Sequence, residues 1–555
     1  MIIKIKNKKF FIIIFTLSLM PYFFYLLSML PNDGEKAISL GIQGRDIFDW
    51  AGYISSLKHI FPPENPFVAG VPAKRYWLSF YPLSFFSKIF GIQSLTVLKL
   101  FTPLIGILNF LITFLLLRKF FSERTTLITS FLIFLAGSLE FLYVFLINVV
   151  HAETFIRPFM AVISDLTLVF SIPNLSLTLI SNIPVSSAYF FFMLTIYSFF
   201  ESFKNKKFLA IGLFSILLIP LYHIFFAIVL VFGFIGCMIL KVILEKKLSK
   251  NFLVKTILFV SFLILGAIPY FSFLSGNYPL KFGLQSVKSF NGIQILFSYI
   301  LVLGVPFIFG IVGLLNKQLN DFDYLIISMM FVSFIMANFL ILGERAAKFE
   351  LTFFITFFIY SGFGIEKFLE TVNKKTLFLF LILFISIFSN ILYLSGNLFA
   401  YLVELDYLNS TIKPWQVYYI PNSEIQASEW IRQHTEPNSI LITIPDDNYP
   451  SEVSIAERSV YLDGLMEVKI GWFPLNSTKY ILNNSDVPEI VVERYNDIYN
   501  LYSRKIVSSS FKKLGKPLYV LLREKEMNLF NIKKLDIPSL DEVYNKDNVT
   551  IYKVL

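Results

Sequence analysis

The sequence predicts a polytopic α-helical membrane protein that ends in a small extracytoplasmic α/β domain. Apolar residues make up 56% of the chain and charged residues only 15%, with mean hydropathy +0.67, whereas soluble proteins carry about 25% charged residues. Apolar runs near the bilayer-crossing length of about 20 residues recur as far as residue 396. From Tyr401 onward the runs shorten to strand length.

About eleven spans are expected, at 10–30, 93–117, 125–147, 184–201, 208–221, 223–242, 253–275, 293–315, 324–342, 349–365 and 376–396. The first is too long for a signal-peptide core and lacks a small-residue cleavage site, so it is expected to stay as an anchor. The fifth is too short to span unaided. It meets the sixth at Pro220, Leu221, Tyr222 and His223, which predicts a shallow hairpin or one broken helix.

Basic clusters give the orientation. Lys4, Lys6, Lys8 and Lys9, then Arg118, Lys119 and Arg124, then Lys204, Lys206 and Lys207, then Lys246, Lys247 and Lys250, then Lys374 and Lys375 fall on every second connection. Under the positive-inside rule the N-terminus is cytoplasmic. Outside lie residues 31–90, 148–183, 276–292, the turn 343–350 and the tail. The expected domains are therefore a membrane domain, 1–399, with outer loops 31–90 and 148–183, and an extracytoplasmic domain, 400–555.

The net charge of +10 does not indicate nucleic acid, because the basic residues sit in short runs between apolar segments. The single cysteine, Cys237, lies within an apolar run, which excludes a disulfide framework and a cysteine metal site.

In the tail, SILITIP (439–445), RSVYLDG (458–464), PLYVLL (517–522) and VTIYKV (549–554) read as strands. SEIQASEWIRQHT and VPEIVVERYNDIYNLYS read as helices between them. That alternation predicts a mostly parallel sheet. Sequons at Asn409, Asn476, Asn483 and Asn548 fit an outside location.

The spans are nearly free of charge, with Glu140 as the main exception, whereas carriers place ionisable groups within their spans. Polar groups gather in the outer connections instead, which points to chemistry at the outer surface. In GRDIFDWAGYISSLKHIFPPENPF, Asp46 and Asp49 are three apart and share one helix face. They suit a general base plus a substrate or metal contact. The alternative is a capping Asp46 and a solvated Asp49. Trp50, Tyr53, Leu57 and Ile60 form an expected membrane-facing stripe.

Further along this loop, Lys74, Arg75, Tyr76, Trp77 and Tyr81 offer either a lipid-phosphate contact or an interfacial anchor. In the second outer loop, HAETFIRPFM brings together His151, Glu153 and Arg157, with Asp165 beyond. His151 and Glu153, with Asp49, are candidate ligands for a divalent cation, Mg or Mn. A Glu153–Arg157 pair across one turn is the plainer reading. His223 suits a hydroxyl contact or simple packing. The turn GERAAKFE holds Arg345 and Lys348 between Glu344 and Glu350. Cations here suit a phosphate leaving group, or neutralisation by the flanking glutamates.

In layout the chain resembles the GT-C superfamily of integral membrane glycosyltransferases, with GRDIFDW, HAETFIRP and GERAAKF carrying the motif-level likeness. The resemblance implies a polyprenyl-phosphate or diphosphate sugar donor and a catalytic aspartate at Asp46 or Asp49. Read from the residues themselves, phosphate or substrate contacts are expected among Arg75, Tyr76, His151, Glu153, Arg157, His223, Arg345 and Lys348, with a glycan, lipid or protein acceptor. No WWD signature occurs in the tail, which argues against the oligosaccharyltransferase branch. IAERSVYLDG and VTIYKV are similar to tail segments of the prokaryotic group. Two other classes are a lipid or polysaccharide transporter, which needs inverted repeats or ionisable residues at mid-membrane depth, and a non-catalytic scaffold indifferent to Asp46 and Asp49.

Overall fold

The computed structural model describes residues 7–28, 36–39, 44–61, 63–73, 77–137, 179, 182–269, 282–284, 292–342, 347–402, 418–445, 451–462 and 489–555. The chain forms two compact units. The first comprises Met1–Leu27, Thr102–Ser272 and Pro279–Trp415; the second comprises Ser28–Phe101, Phe273–Tyr278 and Gln416–Leu555. This differs from the division expected at 399/400, because residues 28–101 group with the tail rather than with the spans.

Where they are described, the expected spans fall on helices, apart from the strand at the end of 324–342. The helices are α1 (Lys8–Ser28), α4 (Ser94–Arg118), α5 (Glu123–Leu135), α6 (Ile183–Glu201), α7 (Lys207–Tyr222), α8 (Ile224–Glu245), α9 (Lys250–Pro269), α10 (Gly292–Leu303), α11 (Val305–Asn316), α12 (Asp321–Phe339), α13 (Ala347–Thr371) and α14 (Lys375–Leu402). The division between the units falls within α4. Among the described residues six helices are long and apolar enough to cross a membrane, and the chain is an integral membrane protein.

Two breaks refine the expected spans. Segment 293–315 is split at Gly304 (φ 61°), with Pro306 opening the second piece. Segment 208–242 is split at His223, whose extended backbone (φ −161°, ψ 101°) ends α7 and begins α8. The break expected between the fifth and sixth segments thus falls at His223. Short strands β2 (Phe282–Leu284) and β3 (Leu340–Leu342) pair antiparallel.

Lipid offers little hydrophobic drive between helices, so close backbone approach through small residues holds such bundles together. α11 and α13 meet in this way. A Cβ on Gly313 would lie 2.0 Å from the Tyr360 carbonyl oxygen, and one on Gly364 1.9 Å from that of Phe309. Buried polar side chains add directional contacts between α4 and α6. Asn109 Nδ2 donates to the Ser186 hydroxyl at 2.8 Å, and the Thr113 and Tyr189 hydroxyls lie 2.7 Å apart.

The second unit holds β1 (Lys36–Ser39), α2 (Gly44–His59) and α3 (Tyr81–Phe90) from the first outer loop. The tail supplies β4 (Tyr418–Pro421), α15 (Asn422–His434), β5 (Ile440–Ile442), α16 (Ser451–Ser454), β6 (Ser459–Val460) and α17 (Glu489–Arg504). It continues with α18 (Ser509–Lys512), β7 (Leu518–Leu522), α19 (Glu524–Phe530), β8 (Leu540–Lys546) and β9 (Val549–Val554). β1 pairs antiparallel with β4, and a five-stranded sheet runs β6-β5-β7-β9-β8. Only β6, β5 and β7 are parallel; β9 and β8 are antiparallel additions. The mostly parallel expectation is corrected to a mixed sheet. Asp547 and Asn548, both at positive φ, form the tight turn that twisted hairpins favour.

Outer loop and tail share this sheet. The Ala69 amide donates to the Val460 carbonyl at 2.9 Å, and the Val460 amide to the Pro66 carbonyl at 2.9 Å. Residues 66–69 thus cover the β6 edge that would otherwise be open.

Because the Gly364 contact is made by backbone, a bulky side chain there must separate two helices. Gly364→Leu is expected to cost more than the about 1–3 kcal/mol of ordinary overpacking. Thermal unfolding in detergent should show a lowered Tm, while Ile308→Leu on the exposed side of α11 leaves it unchanged.

Candidate active site

α2 carries the aspartates. Asp46 lies in its first turn and is described by its backbone alone, whereas Asp49 is buried at 4% exposure. The reading of Asp49 as a solvated residue is therefore corrected. The expected membrane-facing stripe is also corrected. Trp50, Tyr53 and Leu57 are buried within the second unit, with Trp50 6.1 Å from the Phe80 ring and Tyr53 5.8 Å from Phe67. An amphipathic stripe looks the same whether lipid or protein covers it. Here protein does.

Contacts along α2 then bind it to the tail. A Cβ on Gly52 would stand 2.3 Å from Val453 Cγ1, so only glycine lets α2 cross α16 this closely. One turn later Ser55 Oγ donates to the Glu457 carbonyl at 3.2 Å. At the last turn Lys58 Nζ donates to both Glu457 carboxylate oxygens, at 2.8 and 3.0 Å. The same carboxylate accepts from the Ser94 amide at 2.6 Å. Ser94 is the first residue of α4, where exposed amides and the helix dipole favour an anion.

Glu457 adopts φ 55°, a conformation costly for a residue with a Cβ, and its neighbour holds it there. The Arg458 guanidinium donates to Thr435 Oγ1 and to the carbonyls of Arg432, Thr435, Ala456 and Glu457 at 2.8–3.2 Å. Burial alone would push the Glu457 carboxyl up. The Lys58 charge and the hydrogen bonds from Lys58 and Ser94 outweigh it and hold the carboxyl below its ordinary value.

Two expected contact residues are described in the first unit. His223 is 1% exposed, with its ring 5.3 Å from Phe225 and 5.4 Å from Phe226. Lys348, in the first turn of α13, is half-buried with Nζ 5.9 Å from the Phe225 ring. Phe225 packs on Phe349 at 4.9 Å, so the starts of α8 and α13 bring His223 and Lys348 into one neighbourhood. Beside Lys348, Glu350 is buried at 8% exposure. The sequence reading treated Glu350 only as a neutralising flank. Its place between Phe349 and Leu351 was the available sign that it faces inward.

Arg75, Tyr76, His151, Glu153, Arg157 and Arg345 lie outside the described residues, as do Lys74, Glu140, Asp165, Glu344 and the sequons at Asn409, Asn476 and Asn483. Among the described residues no group of three His, Cys, Asp or Glu side chains could hold a metal ion. No step is assigned to a metal.

No protein-family model matches the sequence, and no curated protein matches it. Solved structures do match in fold. The oligosaccharyltransferase from Archaeoglobus fulgidus, in its apo form, aligns at TM-score 0.50 and 13% identity, over 94% of this chain and 70% of that one. ArnT from Cupriavidus metallidurans bound to undecaprenyl phosphate aligns at TM-score 0.46 and 11% identity, over 99% and 98%. The arabinofuranosyltransferase AftD from Mycobacteria aligns at TM-score 0.48 and 12% identity, over 99% and 40%. The chain has the GT-C fold.

Lys58→Met leaves a buried, uncompensated carboxylate and is expected to destabilise the second unit by about 3–5 kcal/mol, while Lys58→Met with Glu457→Leu recovers most of that. Hydrogen exchange of α2 and the tail sheet in the full chain measures both. Because the folded carboxyl titrates below its unfolded value of about 4.3, its contribution is full above that pH. It is lost as pH falls through the folded value. Exchange in wild-type α2 should rise below about pH 4; Glu457→Gln should lack that step.

Proposed function

We propose that this protein is a glycosyltransferase that moves a sugar from a polyprenyl-phosphate or diphosphate donor to an acceptor at the outer face of the membrane. The observation that carries the reading is α2: a helix beginning with two carboxylates, one of them buried, and fixed at its far end by a buried ion pair to the tail. The GT-C fold supports it, since a solved structure with this fold is a glycan transferase.

In the proposed reaction Asp46 or Asp49 accepts the proton of the acceptor hydroxyl as its oxygen attacks the anomeric carbon. The bond from that carbon to the phosphate oxygen breaks, and the phosphate leaves with the electron pair. Inversion needs one base and a good leaving group. Lys348 and Arg345 are assigned to the charge that grows on the phosphate. Arg75, Tyr76, His151, Glu153, Arg157 and His223 are assigned to substrate contact. A divalent cation held by Asp49, His151 and Glu153 remains part of the proposal on ligand chemistry alone, and the tail is assigned to acceptor selection.

A carrier reading is less well supported. Ion pairs described in the first unit, Lys119–Glu201, Lys241–Asp321 and Lys317–Asp323, lie at or near helix ends rather than at the mid-depth where proton and ion relays sit. The ends joined by Lys119–Glu201, and the end of α8 at Lys241, coincide with basic connections assigned to the cytoplasm.

Transfer from labelled polyprenyl-phosphate sugars should fall by about 10²–10⁴-fold in whichever of Asp46→Asn and Asp49→Asn removes the base, at unchanged expression. Wild-type rates in both variants would remove α2 from the chemistry. The proposed orientation has its own test, because Cys237 is buried and gives little background. A membrane-impermeant thiol reagent should label Lys513→Cys in intact cells and Lys247→Cys only after permeabilisation; the reverse pattern would invert the topology.

A further inference from the structure

The first unit holds a buried carboxyl with one oxygen unpartnered among the described residues. Glu350 is 8% exposed, and its Oε2 is sealed from solvent with no hydrogen-bond partner among the described residues. Its neighbours in sequence, Phe349 and Leu351, are 0% and 1% exposed. Leaving such a group unsatisfied costs about 1–3 kcal/mol, and more when it is charged. An apolar side chain would remove that cost. Native chains rarely keep a buried polar atom unsatisfied without a reason.

The surroundings show what would satisfy it. Tyr299 of α10, 3% exposed, packs its ring on Phe353 at 5.0 Å and Phe354 at 6.3 Å, one turn along α13 from Glu350. The Tyr299 hydroxyl accepts from Asn338 Nδ2 at 2.8 Å, which leaves its proton for another acceptor. Phe349 and Phe225 lie edge to face at 4.9 Å, with Lys348 Nζ 5.9 Å from the Phe225 ring. An acceptor, a hydroxyl, aromatic rings and a nearby cation match a sugar. Its hydroxyls donate to carboxyl oxygens, its C–H faces pack on rings, and a phosphate on its carrier is drawn to the cation.

We infer that Glu350 and Tyr299 form a subsite for the sugar hydroxyls of the lipid-linked donor. The inference rests on the glycosyltransferase reading for the class of donor. It goes beyond that reading in assigning recognition of the sugar to residues remote in sequence from the Asp46/Asp49 helix.

The test uses the purified full chain in nanodiscs. Its probes are polyprenyl phosphate alone and polyprenyl phosphate bearing mannose, glucose, galactose, arabinose or N-acetylglucosamine. Wild type is expected to bind at least one sugar-bearing lipid about tenfold more tightly than the bare lipid, the size of one net hydrogen bond. Glu350→Leu should bind all of them like the bare lipid, with unchanged affinity for the latter. Glu350→Gln serves if the leucine variant fails to fold. In the leucine variant Tm should rise, because an unsatisfied carboxyl has been replaced by an apolar side chain; a structural carboxyl would give a lower Tm. The inference is overturned if the preference survives both substitutions, if the leucine variant's Tm falls, or if wild type prefers no sugar-bearing lipid. A preference that depends on Glu350 in a protein with no transfer activity would uphold the subsite and reject the transferase reading.

Discussion

The contact between Lys58 and Glu457 is the constraint on which the second unit's architecture turns. One carboxylate binds the end of α2 through Lys58 and the start of α4 through the Ser94 amide. Its own backbone is fixed because Arg458 uses its guanidinium on five acceptors around it. A buried pair of this kind is weak evidence of net stabilisation, since desolvation offsets most of the attraction. The placement of α2 that pairs both charges also brings Gly52 against Val453.

This bears on chemistry because a general base must be held in place to contribute its full effect. Asp46 and Asp49 lie at the opposite end of a 16-residue helix from Lys58. The helix is pinned at its middle by Gly52 and Ser55 and at its end by Lys58. Trp50 and Tyr53 wedge its near end against aromatic partners. The first unit is organised differently, by backbone contacts between helices and by side-chain hydrogen bonds between α4 and α6. In both units, cost is concentrated at a few residues: Glu457 in a left-handed conformation and Glu350, whose buried Oε2 has no hydrogen-bond partner among the described residues.

Much of this was legible in the sequence, for physical reasons that differ by region. Each span appears as a hydrophobic run because lipid accepts little else, and the breaks at His223 and Gly304 fall beside Pro220 and Pro306. Strands β5, β6, β7 and β9 were readable as short apolar runs between helical patterns. What was not readable depends on long-range pairing. Nothing local in GYISSLKH announces a partner 399 positions away, so the first outer loop was assigned to the spans. The stripe of Trp50, Tyr53 and Leu57 was correctly periodic but assigned the wrong cover. Glu350 was read by its charge, when its apolar neighbours carried the information. Of the candidate site, Asp49, His223 and Lys348 are placed by the structure, and the buried state of Asp49 was the feature the sequence could not supply.

If the Asp46/Asp49 helix faces the reacting sugar, an epoxide analogue of a polyprenyl-phosphate sugar will label it, and tryptic mapping will locate the label. Cleavage after Arg45 and Lys58 releases residues 46–58 as one peptide. The label is expected on Asp46 or Asp49 within it, with intact donor protecting against labelling and the corresponding asparagine variant abolishing it. Donor-protected label confined to other peptides, with 46–58 unmodified, would place the reacting sugar away from this helix.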